Sequence, residues 1–177
     1  MLSTLISYPN PPQNALYFTL MDIFLDRVTP DKKDTLYRLL QYSLFEESAT
    51  DGNEMTNDAV FEYKWFDRYF TEPDRLAFFI REQSTNKLLG FTMINTHTEH
   101  FDSGHSIAEF MVLPKYRKQH VGQKAAHLCF NLFSGNWEAS PSHGSLVAKV
   151  FWEKAIKSYT GQPAEFDGGI FYFSKSA

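Results

Sequence analysis

The run Ser106-Ile-Ala-Glu-Phe-Met-Val-Leu113, closed by Pro114, limits the fold of this chain more than any other stretch. Almost unbroken apolarity over so short a span is the pattern of a strand covered on both faces. Such a strand needs a layer on each side. After it comes a turn holding Lys115, Arg117 and Lys118. Val121, Ala125, Leu128 and Leu132 then keep helical spacing to about Phe133. A buried strand therefore feeds a basic turn and then a helix.

The remaining segments fit around that unit. Residues 16–28, rich in Phe, Tyr, Leu and Ile, suit a first strand. Thr29-Pro30-Asp31 is a helix-start signal, and Leu36, Leu39, Leu40 and Leu44 carry a helix over 31–47. Residues 48–57 read as a polar loop. Phe61, Trp65, Phe66 and Tyr69 predict a second helix over 58–70. Residues 75–96 read as a hairpin, 136–139 as a short strand, 145–159 as a helix stopped at Gly161, and 170–173 as a last strand. Strands alternating with helices predict a layered α/β (α+β) domain around a mixed sheet. The 177 residues suit one domain over 16–177, preceded by a proline-bearing extension at 1–15.

Composition excludes several classes. Hydrophobic residues at 43% and charged residues at 21% are ordinary globular usage, not that of a disordered chain. A net charge of −4 argues against a duplex nucleic-acid partner, which needs a clustered basic face. Cys129 is the single cysteine, so neither an internal disulfide framework nor a multi-thiolate zinc site is expected. The amino terminus lacks the basic and apolar parts of a signal peptide, and no run is long enough to span a bilayer. A cytoplasmic protein with no membrane partner is the resulting expectation.

A helix start leaves backbone N–H groups unpaired and carries roughly half a positive charge, so the turn before Val121 can hold a phosphate or pyrophosphate. Gly122 would let an anion approach bare backbone. A solvated basic turn is the competing reading. At this junction Val112-Leu-Pro-Lys-Tyr-Arg and Arg117-Lys-Gln-His-Val-Gly resemble the fingerprint of the GNAT superfamily of acyl-CoA-dependent N-acetyltransferases. The surrounding element order, including Phe151-Trp152-Glu153-Lys154 before the last strand, extends the resemblance over most of 16–174.

The resemblance implies a three-layer domain with a central, mixed and mostly antiparallel sheet flanked by helices. It implies acetyl-CoA as donor, with no metal. Backbone groups of Phe110, Met111 and Val112 would pair with the pantetheine arm. Those of Lys118, Gln119, His120, Val121, Gly122, Gln123 and Lys124 would hold the pyrophosphate, with charge from Arg117 and Lys118. Two departures stand out: His120 replaces the usual first glycine, and Trp152 stands where many members have a tyrosine acid.

Transfer to an amine needs that amine neutral, so a base is useful. Glu109 is the single ionisable residue of its apolar strand, and strict alternation puts it on one face with Ile107, Met111 and Leu113. It is the expected base. Tyr159 is the first candidate for the acid and Tyr116 the second, with solvent as a further source of the proton. Cys129 reads as a buried hydrophobe, and His97, His100 and His105 as surface histidines. Glu46, Glu47, Asp51, Glu54, Asp58, Glu62, Asp67, Glu72 and Asp74 face only Lys64 and Arg68 within 46–74. Such a rim, with Trp65, Phe66, Tyr69 and Phe70, would favour a cationic amine acceptor; a solvated face over core aromatics is its alternative. The overall expectation is acetyl transfer to a primary amine by direct attack in a ternary complex. Trp152 and His120 keep open a non-catalytic acyl-CoA-binding or regulatory module of the same fold.

Overall fold

A computed structural model describes residues 21–175. The elements are β1 (Ile23–Arg27), α1 (Lys33–Asp51), β2 (Arg75–Glu82), β3 (Leu88–Asn95), β4 (His105–Val112), α2 (Val121–Leu132), β5 (Gly135–Ala139), α3 (Leu146–Thr160), β6 (Glu165–Asp167) and β7 (Ile170–Lys175). The strands form one sheet in the order β1-β2-β3-β4-β5-β7-β6. The β4–β5 pair is parallel and every other neighbour antiparallel. The mixed, mostly antiparallel sheet expected from the sequence is therefore present. The expected boundary between 15 and 16, and the beginning of the first strand, lie outside the described residues.

Each face of the sheet buries its own layer. Leu36, Leu39, Leu40 and Leu44 of α1 pack on Ala77, Phe79, Phe91, Met93 and Met111. On the other face Ala126, Cys129 and Phe130 of α2 and Trp152, Ala155 and Ile156 of α3 pack on Phe78, Ile94 and Ile107. Burial of large apolar side chains of this kind stabilises by roughly 1.5–3 kcal/mol each.

The segment 58–70 is not the expected helix. It runs as irregular chain to Trp65 and closes in a short 3-10 turn, Phe66–Phe70. Gln41 of α1 explains the path: its side-chain amide accepts from the Phe61 N–H at 2.7 Å and donates to the Phe61 carbonyl at 3.0 Å. A helix there would need those same backbone groups. Phe66 and Tyr69 turn into the core, while Trp65 faces outward. The loop expected from 48 starts later, because α1 continues to Asp51.

Strand β6 is an element the sequence reading does not include. Gly168 and Gly169, both at positive φ, make the two-residue turn that folds it back on β7. Asp167-Gly-Gly carries that signal in the sequence.

Candidate active site

Two features of β4 shape the site. The first is a bulge. Met93 pairs with Glu109, but Ile94 pairs with Ile107, so Ala108 is extra on β4. An added residue inverts the alternation beyond it. Glu109 and Met111 consequently point to the α1 face, whereas Ile107 faces α2 and α3. Strict alternation, which grouped Glu109 with Ile107, fails for this reason. Thr92 fixes the bulge, donating from Oγ1 to the Glu109 carbonyl at 3.0 Å.

The second feature is a parting of strands. β4 and β5 pair only from His105 to Ile107, against Trp137 to Ala139. β5 ends there and β4 runs on to Val112, so Phe110, Met111 and Val112 have no strand neighbour on that side. Phe110 stacks on Phe151 with centroids 5.6 Å apart and meets Trp152 edge-on at 5.1 Å.

The helix start expected to bind an anion lies at the end of that gap. A Cβ built on Gly122 would come 3.0 Å from the Phe151 ring and 3.7 Å from Val112. The successive amides of Lys118, Gln119, His120, Val121, Gly122 and Gln123 make no hydrogen bond of normal geometry among the described residues. The first intrahelical bond is donated by Lys124 to the His120 carbonyl, at 3.0 Å. Lys118 and His120 both take left-handed backbone conformations, with φ of 60° and 62°. His120 thus occupies the conformation glycine would supply.

The side chains of the basic turn are engaged elsewhere. Arg117 donates to the Val112 carbonyl and to Glu46, both at 2.7 Å, tying the end of β4 to α1. Lys124 donates to the Met21 carbonyl at 2.9 Å. Gln119 caps the Lys115 carbonyl at 2.8 Å, and Gln123 bonds Ser158 of α3 at 2.6 Å. Lys118 remains exposed.

Glu109 is partly buried beneath α1. Burial, with the nearby charges of Glu47 and Asp51, pushes its carboxyl up to about 8, against a contact with the Tyr63 phenol that favours the charged form. Burial likewise raises Glu47, while a hydrogen bond from Ser43 opposes it. A carboxyl that titrates near neutrality is suited to accepting a proton from an ammonium group.

Tyr159 is not brought to Glu109. It packs on the opposite face of the sheet against Phe130 and His127, and donates to Asn131 Oδ1 at 2.7 Å. This placement joins α2 to α3 and gives no support to a role as acid. Tyr116 lies at the apolar cluster of Val112, Val121 and Ala125. Cys129 is fully buried and its thiol pushed up to about 12 by desolvation, as a small hydrophobe would be. Of the loop histidines only His97 stays well exposed. His100 stacks on Tyr172 at 4.3 Å and His105 on Phe133 at 4.1 Å, so they are packing residues.

The acidic rim is partly neutralised. Asp67 pairs with Lys33, Glu72 with Arg68 and Arg75, and Glu46 with Arg117. Lys64 and Arg68 already lie over the Trp65 ring, each at 4.4 Å. Glu54 and Glu62 line an open cleft of about 300 Å³ with Asn53, Met55, Thr56 and Phe61. Sequence reasoning missed Tyr63, whose place in this region depends on the path of the loop after α1. No periodicity encodes that path.

The comparisons with known proteins agree with this geometry. No curated protein matches the chain. An acetyltransferase from Thermus thermophilus superposes with a TM-score of 0.60 at 18% identity, over 88% of this chain and 98% of its own. An aminoglycoside acetyltransferase in complex with coenzyme A gives 0.58 at 10% identity, over 86% and 95%. Spermidine N-acetyltransferase from Vibrio cholerae, in complex with CoA and spermine, gives 0.56 at 9% identity, over 86% and 95%. At such identities these likenesses speak for the fold. The family model described as "Acetyltransferase (GNAT) family" matches residues 38–136, more than half of the chain and all of β4, the basic turn and α2. The chain therefore belongs to the GNAT acetyltransferase family.

Proposed function

We propose that this protein transfers an acetyl group from acetyl-CoA to a primary amine. The observation that carries the reading is the row of unbonded amides from Lys118 to Gln123, set at the end of the gap where β4 leaves β5. Main-chain donors at a helix start suit a pyrophosphate, and an unpaired strand edge suits an amide-bearing arm. Phe110, Met111 and Val112 would hold that arm through their backbone, and the amides of 118–123 the phosphates, with Lys118 adding charge. When bound, acetyl-CoA supplies an activated acyl thioester.

Glu109 takes the proton that the acceptor ammonium must lose, directly or through water. The acceptor amine attacks directly within a ternary complex. Cys129, the lone thiol, is sealed in the core and held protonated, which leaves it no part as an acyl carrier. A cationic acceptor is favoured because Glu47, Asp51, Glu54 and Glu62 lack the cationic partners that Glu46, Asp67 and Glu72 have among the described residues. Spermine in the Vibrio cholerae enzyme is consistent with that chemistry.

Isothermal titration with acetyl-CoA, followed by a panel of mono-, di- and polyamines, tests this reading. The expected result is donor binding, then turnover that rises with the positive charge of the amine. No heat with acetyl-CoA overturns the donor site. Binding without turnover on any amine overturns the enzyme in favour of a binding module.

A further inference from the structure

Pro114–Tyr116 form a 3-10 turn that reverses the chain at the end of β4. Arg117 follows it in extended conformation, with its N–H on the Pro114 carbonyl at 3.3 Å. The turn sends the Arg117 side chain back to the strand the chain has just left. Its Nε donates to the Val112 carbonyl and a terminal nitrogen donates to Glu46 of α1, each at 2.7 Å. A planar guanidinium makes two such bonds in a fixed fork, which the single ammonium of a lysine does not reproduce.

The side to which Val112 points decides what this contact does. Peptide groups of successive strand residues point to opposite sides. The Leu113 N–H donates to the Leu89 carbonyl beside β3 at 2.8 Å. The Met111 carbonyl also points at β3, since a Cβ on Gly90 would lie 2.0 Å from its oxygen. The groups of Phe110 and Val112 therefore point the other way, into the gap that β5 leaves. This narrows the edge open to a donor arm to those two residues. Arg117 already fills the last acceptor on it, the Val112 carbonyl. The Phe110 N–H and carbonyl and the Val112 N–H remain for an amide-bearing chain.

We propose that Arg117 and Glu46 are positioning residues for the donor arm: Glu46 aims the guanidinium, the guanidinium fixes the Val112 carbonyl, and the edge that receives the pantetheine amides is thereby held in register. The proposal rests on the reading of the gap as the acetyl-CoA site. Arg117 accordingly holds no phosphate, and the anion belongs to the main-chain amides from Lys118 onward. Since α1 packs on Met111 and Met93, the same contact ties the arm's edge to the helix that covers the Glu109 face of the sheet.

Two donors separate an arm role from a phosphate role. Acetyl-CoA carries the arm and the phosphates, whereas S-acetylpantetheine carries the arm alone. Nitrogen-15 NMR titration of the folded protein with each gives both affinities in one assay, with no acceptor present. Arg117→Lys keeps the charge and loses the fork. It should weaken both donors by about tenfold, the size of a hydrogen bond made by a charged group. Glu46→Ala, at a half-exposed position of α1, should weaken both by about threefold. Glu46→Gln keeps an acceptor oxygen and should recover most of that loss, which a general loosening of α1 would not allow.

The proposal is overturned if Arg117→Lys lowers acetyl-CoA affinity alone, or lowers neither. Tighter acetyl-CoA binding in Glu46→Ala overturns it too, because the glutamate would then be restraining an arginine that serves the phosphates. Should Arg117→Lys not fold, Glu46→Ala decides, and unchanged S-acetylpantetheine affinity there sinks the idea. Wild type that binds neither donor refutes the donor site and this proposal together. Wild type that binds both, with S-acetylpantetheine unmoved by either substitution, refutes the positioning role and leaves the donor site standing.

Discussion

A non-glycine residue in the left-handed region costs about 1–2 kcal/mol, and this chain accepts that cost at both Lys118 and His120. Nothing strong holds the imidazole in return: its best contact is Gln123 Oε1 at 3.5 Å. His120→Gly should therefore raise stability by about 1 kcal/mol, read as a higher urea midpoint at unchanged slope. Acetyl-CoA affinity should be kept, because the donors at 118–123 belong to the main chain. A lower midpoint would mean that the histidine makes contacts the backbone geometry does not reveal. Glu109 differs, since there the side chain is the function. Glu109→Gln should cut kcat by about 10²-fold or more with little change in acetyl-CoA affinity, as removal of a general base does. Stopped-flow turnover and titration calorimetry on the same preparation would check both halves.

At the scale of elements, two glycines report how tightly β4 is built in. A Cβ on Gly90 would lie 2.0 Å from the Met111 carbonyl oxygen, so Gly90→Ala must push β3 from β4 at the Val112 end of the pair. A loss of about 3 kcal/mol or more is expected in chemical denaturation, since the clash is with backbone rather than a mobile side chain. Gly122→Leu acts at the same end of β4, from the side of α2 and α3. Its side chain would press on the Phe151 ring that stacks on Phe110, disturbing the gap and the amide row together. Acetyl-CoA binding should weaken at least tenfold in calorimetry, and equal affinity would place the donor elsewhere. These elements also show what a sequence can carry. The β4–turn–α2 unit was legible because apolar runs, Pro114 and helical spacing are local signals. So were the hairpin and α3, whose Ser145 caps the Ala148 N–H as a helix-start serine should. The bulge at Ala108 was not, because it is set by pairing with β3 and by the Thr92 hydroxyl. The irregular course of 58–65 was hidden likewise, since Gln41 is remote in sequence from the Phe61 backbone it binds. Both errors fell on residues that aim side chains at the site.

For the whole molecule, the same carboxyl that would serve catalysis works against the folded state. In the unfolded chain Glu109 loses its proton at an ordinary carboxylate pH, about 4.3. In the folded protein it keeps the proton up to about 8. The native state thus binds more protons across that interval, and stability must fall as pH rises through it. Glu47, also raised by burial, adds in the same sense. His105 acts in the opposite direction: burial lowers it, so the folded state resists its protonation and stability falls as pH drops below its ordinary value near 6.5. Wild-type stability should therefore pass through a broad maximum on the acid side of neutrality. Glu109→Gln removes one of the opposing limbs. It should match wild type near pH 5 and exceed it near pH 9 by on the order of 2 kcal/mol, a figure reduced for the partial exposure of the carboxyl. Urea unfolding at pH 5, 7 and 9 measures the difference, and parallel curves for the two proteins would mean that the fold does not hold this proton. A gain at high pH joined to a loss of turnover would identify stability given up at β4 to keep a base near the gap.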